Sequence, residues 1–426
     1  MRWRPNRALA ATTRGHPVGS GETAVLLRDP NFRPYLVGNM LSTTGTWFQT
    51  LAQAILVYRL THSTFLLGVV GFASYAAVFA LAPITGRVAD RYDRRTVLVA
   101  TQLVSTAITG TLCAVTARGS ATPGLVIGFA FLLGSANAFA TPSLMALAPT
   151  LVQPAFLSTA LALNSATFNI GRAIGPVLAA VVIGAFGPAW AFGINAFSYL
   201  ALVAGVCSVH PLIVHKRPDV ATRLIDSLRI VLRDRKLVAL LYTIMAMNLA
   251  TDPPITLGPA FMSREYHDAT SLAGLLVGAF GLGAVLAAFT IAPRLRGTRV
   301  TIMSTLLVTG LGVAAFAVLP SLELGLAGLA VMGFGYLLSN TVATSRLQLD
   351  VPPEHRGRIM VLWSLAFLGA RPLGSLVDGS LASWAGVRVA AFAMAVPAFA
   401  GSAVFFGSGL RARRARPELD AEARAG

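Results

Sequence analysis

Apolar runs of membrane-spanning length, separated by short polar breaks, dominate the chain. A helix needs about 20 apolar residues to cross the hydrocarbon core. Twelve stretches qualify: 36–58, 64–86, 97–117, 124–148, 157–183, 189–210, 237–260, 271–293, 300–320, 323–347, 359–384 and 389–409. Several breaks are very short, as at 118–123 and 320–322, leaving no room there for a receptor or enzyme domain. The longest, 211–236, divides the stretches six from six. The pattern predicts an all-α membrane fold of twelve transmembrane helices in two pseudo-symmetric six-helix bundles. The expected divisions are a cytoplasmic tail at 1–33, an N-terminal bundle at 34–210, a cytoplasmic amphipathic linker at 211–236, a C-terminal bundle at 237–409 and a cytoplasmic tail at 410–426. In the linker Leu224, Leu228, Val231 and Leu232 form one apolar stripe. Such a stripe suits the membrane surface; a solvated linker is the other reading.

The halves share more than helix count. Shifted by 199 positions without a gap, Leu163 meets Leu362, Ser165 meets Ser364, Phe168 meets Phe367, Arg172 meets Arg371, Gly175 meets Gly374 and Gly187 meets Gly386. Each half therefore places an arginine at mid-membrane depth, where a charge costs about 2.5–3.5 kcal/mol on insertion scales. Internal repeats with polar sites at the midplane are a common plan of secondary transporters.

Only 12% of the residues are charged and 55% are hydrophobic, against about 25% charged in soluble domains. The net charge of +17 would suggest nucleic acid on a soluble protein. Here 27 of the 34 basic residues fall on one side if both termini are cytoplasmic; only Arg59, Arg118, Arg264 and Arg388 fall on the other. That asymmetry follows the positive-inside rule. It predicts a multi-pass protein of the bacterial cytoplasmic membrane, with anionic lipids at the basic inner loops and no nucleic-acid partner. Residues 1–33 lack the apolar core of a cleavable signal and read as a mobile tail. Cys113 and Cys207 lie in predicted helices and read as packing residues.

The break after the second stretch contains Gly86, Asp90, Arg91, Arg94 and Arg95. This spacing resembles the signature loop of the major facilitator superfamily, and with twelve stretches in a 6+6 order the likeness covers about 28–410. The resemblance implies that the loop's acid docks near the start of the eleventh helix and holds the cytoplasmic side shut. A helix N-terminus suits a carboxylate. Gly86, Asp90, Arg91, Arg94 and Arg95 are then gating residues. Asp93 departs from the family pattern by replacing a glycine, and the matching loop of the second half has Arg294 where Asp90 stands. In the fifth stretch, Gly171, Gly175 and Pro176 resemble an exporter-associated motif, though its closing pair is Ala179 and Ala180. They read as a packing and hinge element and favour export. The lead Arg28-Asp29-Pro30-Asn31-Phe32-Arg33 and the run Gly45–Gln49 resemble a bacterial efflux subgroup that includes the enterobactin exporter.

Several polar residues are candidates for the transport path. Gln49 and Gln53 share one helix face and could bond a substrate or a neighbouring helix. Arg172 and Arg371 could line a positively charged cavity for anionic substrates, or be structural arginines tied between helices. Asp378 and Asp252 are the candidates for proton coupling, each with a static structural role as the alternative. Asp378 is placed in the outer third, open to an outer vestibule. Pro253 and Pro254 after Asp252 predict a broken helix and an outer gate. Arg346, near an inner helix end, is expected to snorkel.

No lysine follows a glycine, so no phosphate-binding Walker loop is present, and six scattered histidines suggest no metal site. No catalytic function and no cofactor are expected. The expected function is a secondary active transporter, a monomer, exporting small molecules such as drugs, siderophores or secondary metabolites by alternating access with proton antiport. A lysolipid flippase, a small-solute importer and a non-transporting scaffold or sensor are the alternatives.

Overall fold

The computed structural model describes residues 20–210, 229, 231–232, 234–295, 297–351 and 353–405. A short α1 (Ser20–Arg28) precedes the first-half helices α2 (Arg33–Thr61), α3 (Thr64–Arg91), α4 (Arg94–Ala117), α5 (Pro123–Leu147), α6 (Leu157–Phe186) and α7 (Pro188–Cys207). The second half opens with three consecutive pieces, α8 (Arg235–Ala250), α9 (Asp252–Thr256) and α10 (Gly258–Arg264). It continues with α11 (Ala273–Thr290), α12 (Arg299–Val318), α13 (Leu322–Asp350) and α14 (Pro353–Ala385), and ends with α15 (Val387–Phe405).

Among the described residues, nine helices are long and apolar enough to cross a membrane. The polar-studded α2 and α14, of 29 and 33 residues, and the broken α8–α10 occupy the other three predicted positions. In the first half α2 packs on α6 and α7, α3 on α5, and α4 on α5 and α7. In the second, α13 packs on α11 and α12, and α8 on α13 and α14. The halves meet along two seams, α3 against α14 and α6 against α11.

Small residues set both seams. A Cβ on Gly68 would clash with the Ser375 carbonyl and lie 3.0 Å from Gly379 Cα; one on Gly274 would clash with the Pro176 carbonyl. Backbone thus packs directly on backbone, the close approach that small residues permit in membranes. Within the first half, Gly171 and Gly175 let α6 close onto Thr43 and Trp47 of α2.

Two sequence expectations change. The tail predicted at 1–33 is folded from residue 20: Leu26 and Phe32 are buried, and Thr159 Oγ1 donates to Glu22 at 2.6 Å. Asp29 accepts from the backbone N–H groups of Asn31 and Phe32 at 2.7 and 2.9 Å. Asn31 then staples distant segments, donating to the carbonyls of Leu151 (3.2 Å) and His210 (2.8 Å) and accepting from His210 N–H (2.6 Å). The tail reading failed because these bonds are long-range and leave no periodic signature. Asn31→Ala should cost about 1–3 kcal/mol for the stranded groups, read as a lower thermal midpoint with helical content unchanged.

The second change concerns the 86–95 loop. Gly86 through Arg91 belong to α3, so the connection is only Tyr92 and Asp93. Asp93 caps α4, accepting from Thr96 N–H at 3.0 Å, the ordinary role of an Asp at a helix start. The acid that departs from the family pattern therefore starts a helix. The linker at 211–236 lies outside the described residues except for 229, 231–232 and 234–236.

Candidate functional site

Polar residues converge where the two seams cross the centre. Arg172 of α6 and Arg371 of α14 are both buried, at 3% and 8% exposure. Each reaches into the opposite half. The Arg172 guanidinium sits 4.4 Å from the ring centre of Phe280 on α11 and 4.7 Å from that of Tyr336 on α13, and its Nη1 donates to the Tyr336 hydroxyl at 3.4 Å. The Arg371 guanidinium lies 5.4 Å from the ring centre of Tyr75 on α3, and Nη1 donates to the Tyr75 hydroxyl at 2.8 Å. Aromatic faces hold a cation with about 0.5–2 kcal/mol each. The two arginines also lie close enough to interact electrostatically. Neither guanidinium is fully bonded: Arg172 Nη2 and Arg371 Nε are buried with no partner.

The broken helix brings a carboxylate into the electrostatic reach of Arg371. The chain turns at Thr251, after α8, so that Asp252 opens α9 with Pro253 and Pro254 in its first turn. Proline fits there because those N–H groups are orphaned anyway. Asp252 is buried, accepts from Thr256 Oγ1 at 3.1 Å and faces Arg371. Gly374 lies beside it: a Cβ there would touch the carboxylate at an ordinary 3.8 Å and crowd Leu249 at 2.9 Å. Asp378 is fully buried, so no vestibule reaches it in this state, contrary to the sequence expectation. It faces Asp252, and neither of its oxygens receives a hydrogen bond.

The two glutamines belong to α2. Both are buried; Gln49 Oε1 accepts from Asn195 of α7 at 3.1 Å, and the amide nitrogens of Gln49 and Gln53 have no partner. Sequence reading missed Tyr75, Tyr336, Phe280 and Asn248, the last buried with no partner for its Oδ1. One signal was available: the 199-residue offset that pairs the arginines also pairs Gln49 with Asn248 and Gln53 with Asp252. The aromatic partners have no such signal, since they belong to the half opposite each arginine.

At the face that the arginine distribution assigns to the outside, Arg264 donates to the Tyr58 hydroxyl (3.1 Å) and the His62 carbonyl (2.7 Å). Arg59 donates to Thr270 Oγ1 at 3.2 Å. These bonds close that end across the halves. At the other end Arg94 donates to the Ala146 carbonyl at 3.1 Å and Arg95 to the Cys207 carbonyl, so both bind helix ends of their own half. The surroundings of Gly86 and Asp90, and the side chains of the first turn of α14 that Asp90 was expected to meet, are not described. Arg346 pairs with Asp350 at 3.1 Å. Among the described residues no group of histidine, cysteine or acidic side chains could hold a metal.

Residues 22–424 match the family model described as transmembrane secretion effector. The enterobactin exporter EntS of Citrobacter koseri is 26% identical over 369 residues, covering 84% of this chain and 86% of that protein. The staphyloferrin A transporter of Staphylococcus aureus is 24% identical over 351 residues, covering 80% and 87%. Among solved structures, the nucleoside transporter NupG superposes with a TM-score of 0.71 at 15% identity, covering 88% and 98%. An inward-facing bacterial homologue of the lysosomal transporter Spinster superposes at 0.66 and 14%, covering 91% and 97%. These likenesses establish a polytopic major facilitator fold and a transporter of small molecules, not an enzyme. The chain belongs to the transmembrane secretion effector family of the major facilitator superfamily.

Proposed function

We propose that this protein exports a small anion, of the acidic siderophore type, from the cytoplasm by alternating access coupled to proton antiport. The observation that carries the substrate class is the pair of buried guanidiniums, each with an unsatisfied N–H. An unpaired buried donor is costly, and an anionic ligand reaching the centre would satisfy both. Two relatives are named for enterobactin and staphyloferrin A, which agrees with that chemistry. Asp252 and Asp378 are the buried carboxyls that would carry the proton. The glycine seams supply surfaces along which the halves rock, with Arg264 and Arg59 as the outer clasp and the Gly86–Arg95 segment as the inner one. Pro253 and Pro254, by interrupting the seventh crossing, and Pro176 beside the second seam, would serve as hinges.

The test is accumulation in an efflux-deficient bacterium, with a catechol-type anion and a cationic dye of similar size, with and without a protonophore. Expression should lower accumulation of the anion alone, and the protonophore should abolish the effect. Export of the cation in preference, or export indifferent to the protonophore, would reject this reading.

A further inference from the structure

We infer that the outer surface of the first half carries a binding site for an anionic phospholipid, between the start of α2 and the end of α7. A groove of about 740 Å³ opens there. Arg28 and Arg33 stand at its mouth. Below them Val37 and Leu41 of α2 form one wall. Ala201, Ala204 and Gly205 of α7 form a floor of small side chains. From Arg33 to Leu41 the helix rises eight residues, about 12 Å at 1.5 Å each. The groove thus runs from two cations into the depth where acyl chains lie, the shape of a phosphate head with a tail beneath it. Val37 and Leu41 are 47% and 45% exposed, so the wall is open to the bilayer.

Among the described residues the two arginines are unengaged, unlike their neighbours. Arg94, Arg95 and Arg294 are spent on helix-end carbonyls, and Arg346 on Asp350. Arg28 and Arg33 are exposed and make no ion pair or side-chain hydrogen bond with any described residue. The nearby carboxylate, Asp29, is already turned onto the N–H groups of Asn31 and Phe32. That turn, pinned by Asn31 to residues 151 and 210, holds the backbone that carries both arginines at the groove. The backbone part of the ordering cost is thus met in folding. Exposed Val25 and Leu27 beside Arg28 put α1 at the membrane surface, level with lipid heads. Basic pockets between helices at that level are where anionic head groups bind. This site is remote from the central arginines and stands whether or not the transport proposal does.

The experiment is native mass spectrometry of the purified full chain in detergent, with equal amounts of dioleoyl phosphatidylglycerol and dioleoyl phosphatidylcholine. The lipids share their chains and differ in head-group charge. The wild type should retain the glycerol lipid at least about fivefold over the choline lipid. R28Q/R33Q should bring the ratio to about one, and Arg118→Gln, at the other face, should leave it unchanged. Ala204→Trp keeps both cations but fills the floor, and should lower retention of both lipids. Excess glycerol phosphate should not displace the bound lipid, because it lacks the chains. A wild-type ratio near one, a ratio unchanged in R28Q/R33Q, or displacement by glycerol phosphate would each overturn the site.

Discussion

Replacing Arg371 with alanine should lower transport at least tenfold while the protein still inserts in the membrane. Arg371 is bonded to Tyr75 across the α3–α14 seam and faces Asp252. Removing Arg371 strands the Tyr75 hydroxyl and takes away the positive charge near Asp252, a loss of about 1–3 kcal/mol. Much of that cost falls on the α3–α14 seam. Arg371→Lys restores the charge but not the planar fork that meets a tyrosine hydroxyl and an anion together, so it should recover less than half of the lost rate. Arg172→Ala should behave alike, since Arg172 makes the reciprocal bridge to Phe280 and Tyr336. Transport of a purified anion into inverted vesicles, normalised to protein, is the measurement. Near-normal rates in either alanine variant would show that the guanidiniums only fill space.

The second large effect separates coupling from translocation. Asp378→Asn preserves shape and removes a proton-binding carboxyl. Proton-driven accumulation should fall at least tenfold, whereas exchange of labelled for unlabelled substrate at equal pH should stay within about twofold. The wild-type exchange rate should vary with pH and that of the variant should not. A static role for Asp378 predicts that driven transport and exchange fall together. Asp252→Asn should harm both processes, because Asp252 also balances Arg371 and accepts from Thr256.

The all-helical membrane fold and the buried arginines could be read from the sequence because burial in lipid leaves a one-dimensional trace: long apolar runs, rare charges and a repeat. What crosses between distant segments left none. Arg172 is visible as an anomaly, but Phe280 and Tyr336 are ordinary aromatic residues until α11 and α13 bring them around it. Residues 20–33 read as polar tail because their fixing bonds go to positions more than 100 residues away. Asp93 read as a departure from a family pattern, while its physical role is the common one of a helix cap. The alternatives for the arginines, cavity lining or structural tie, both describe part of the geometry. Each guanidinium is tied to a tyrosine and each keeps one donor unspent.

In the proposed mechanism an anion moves one way through the paired arginines while protons move the other. The most direct measurement is made in proteoliposomes loaded with a pH-sensitive dye, with a catechol-type anion added outside and no imposed gradient. The account predicts substrate-dependent proton movement opposite to the anion, lost in Asp378→Asn and absent with a cationic probe of equal size. Anion entry with no proton signal, or a proton signal unchanged in Asp378→Asn, would contradict it.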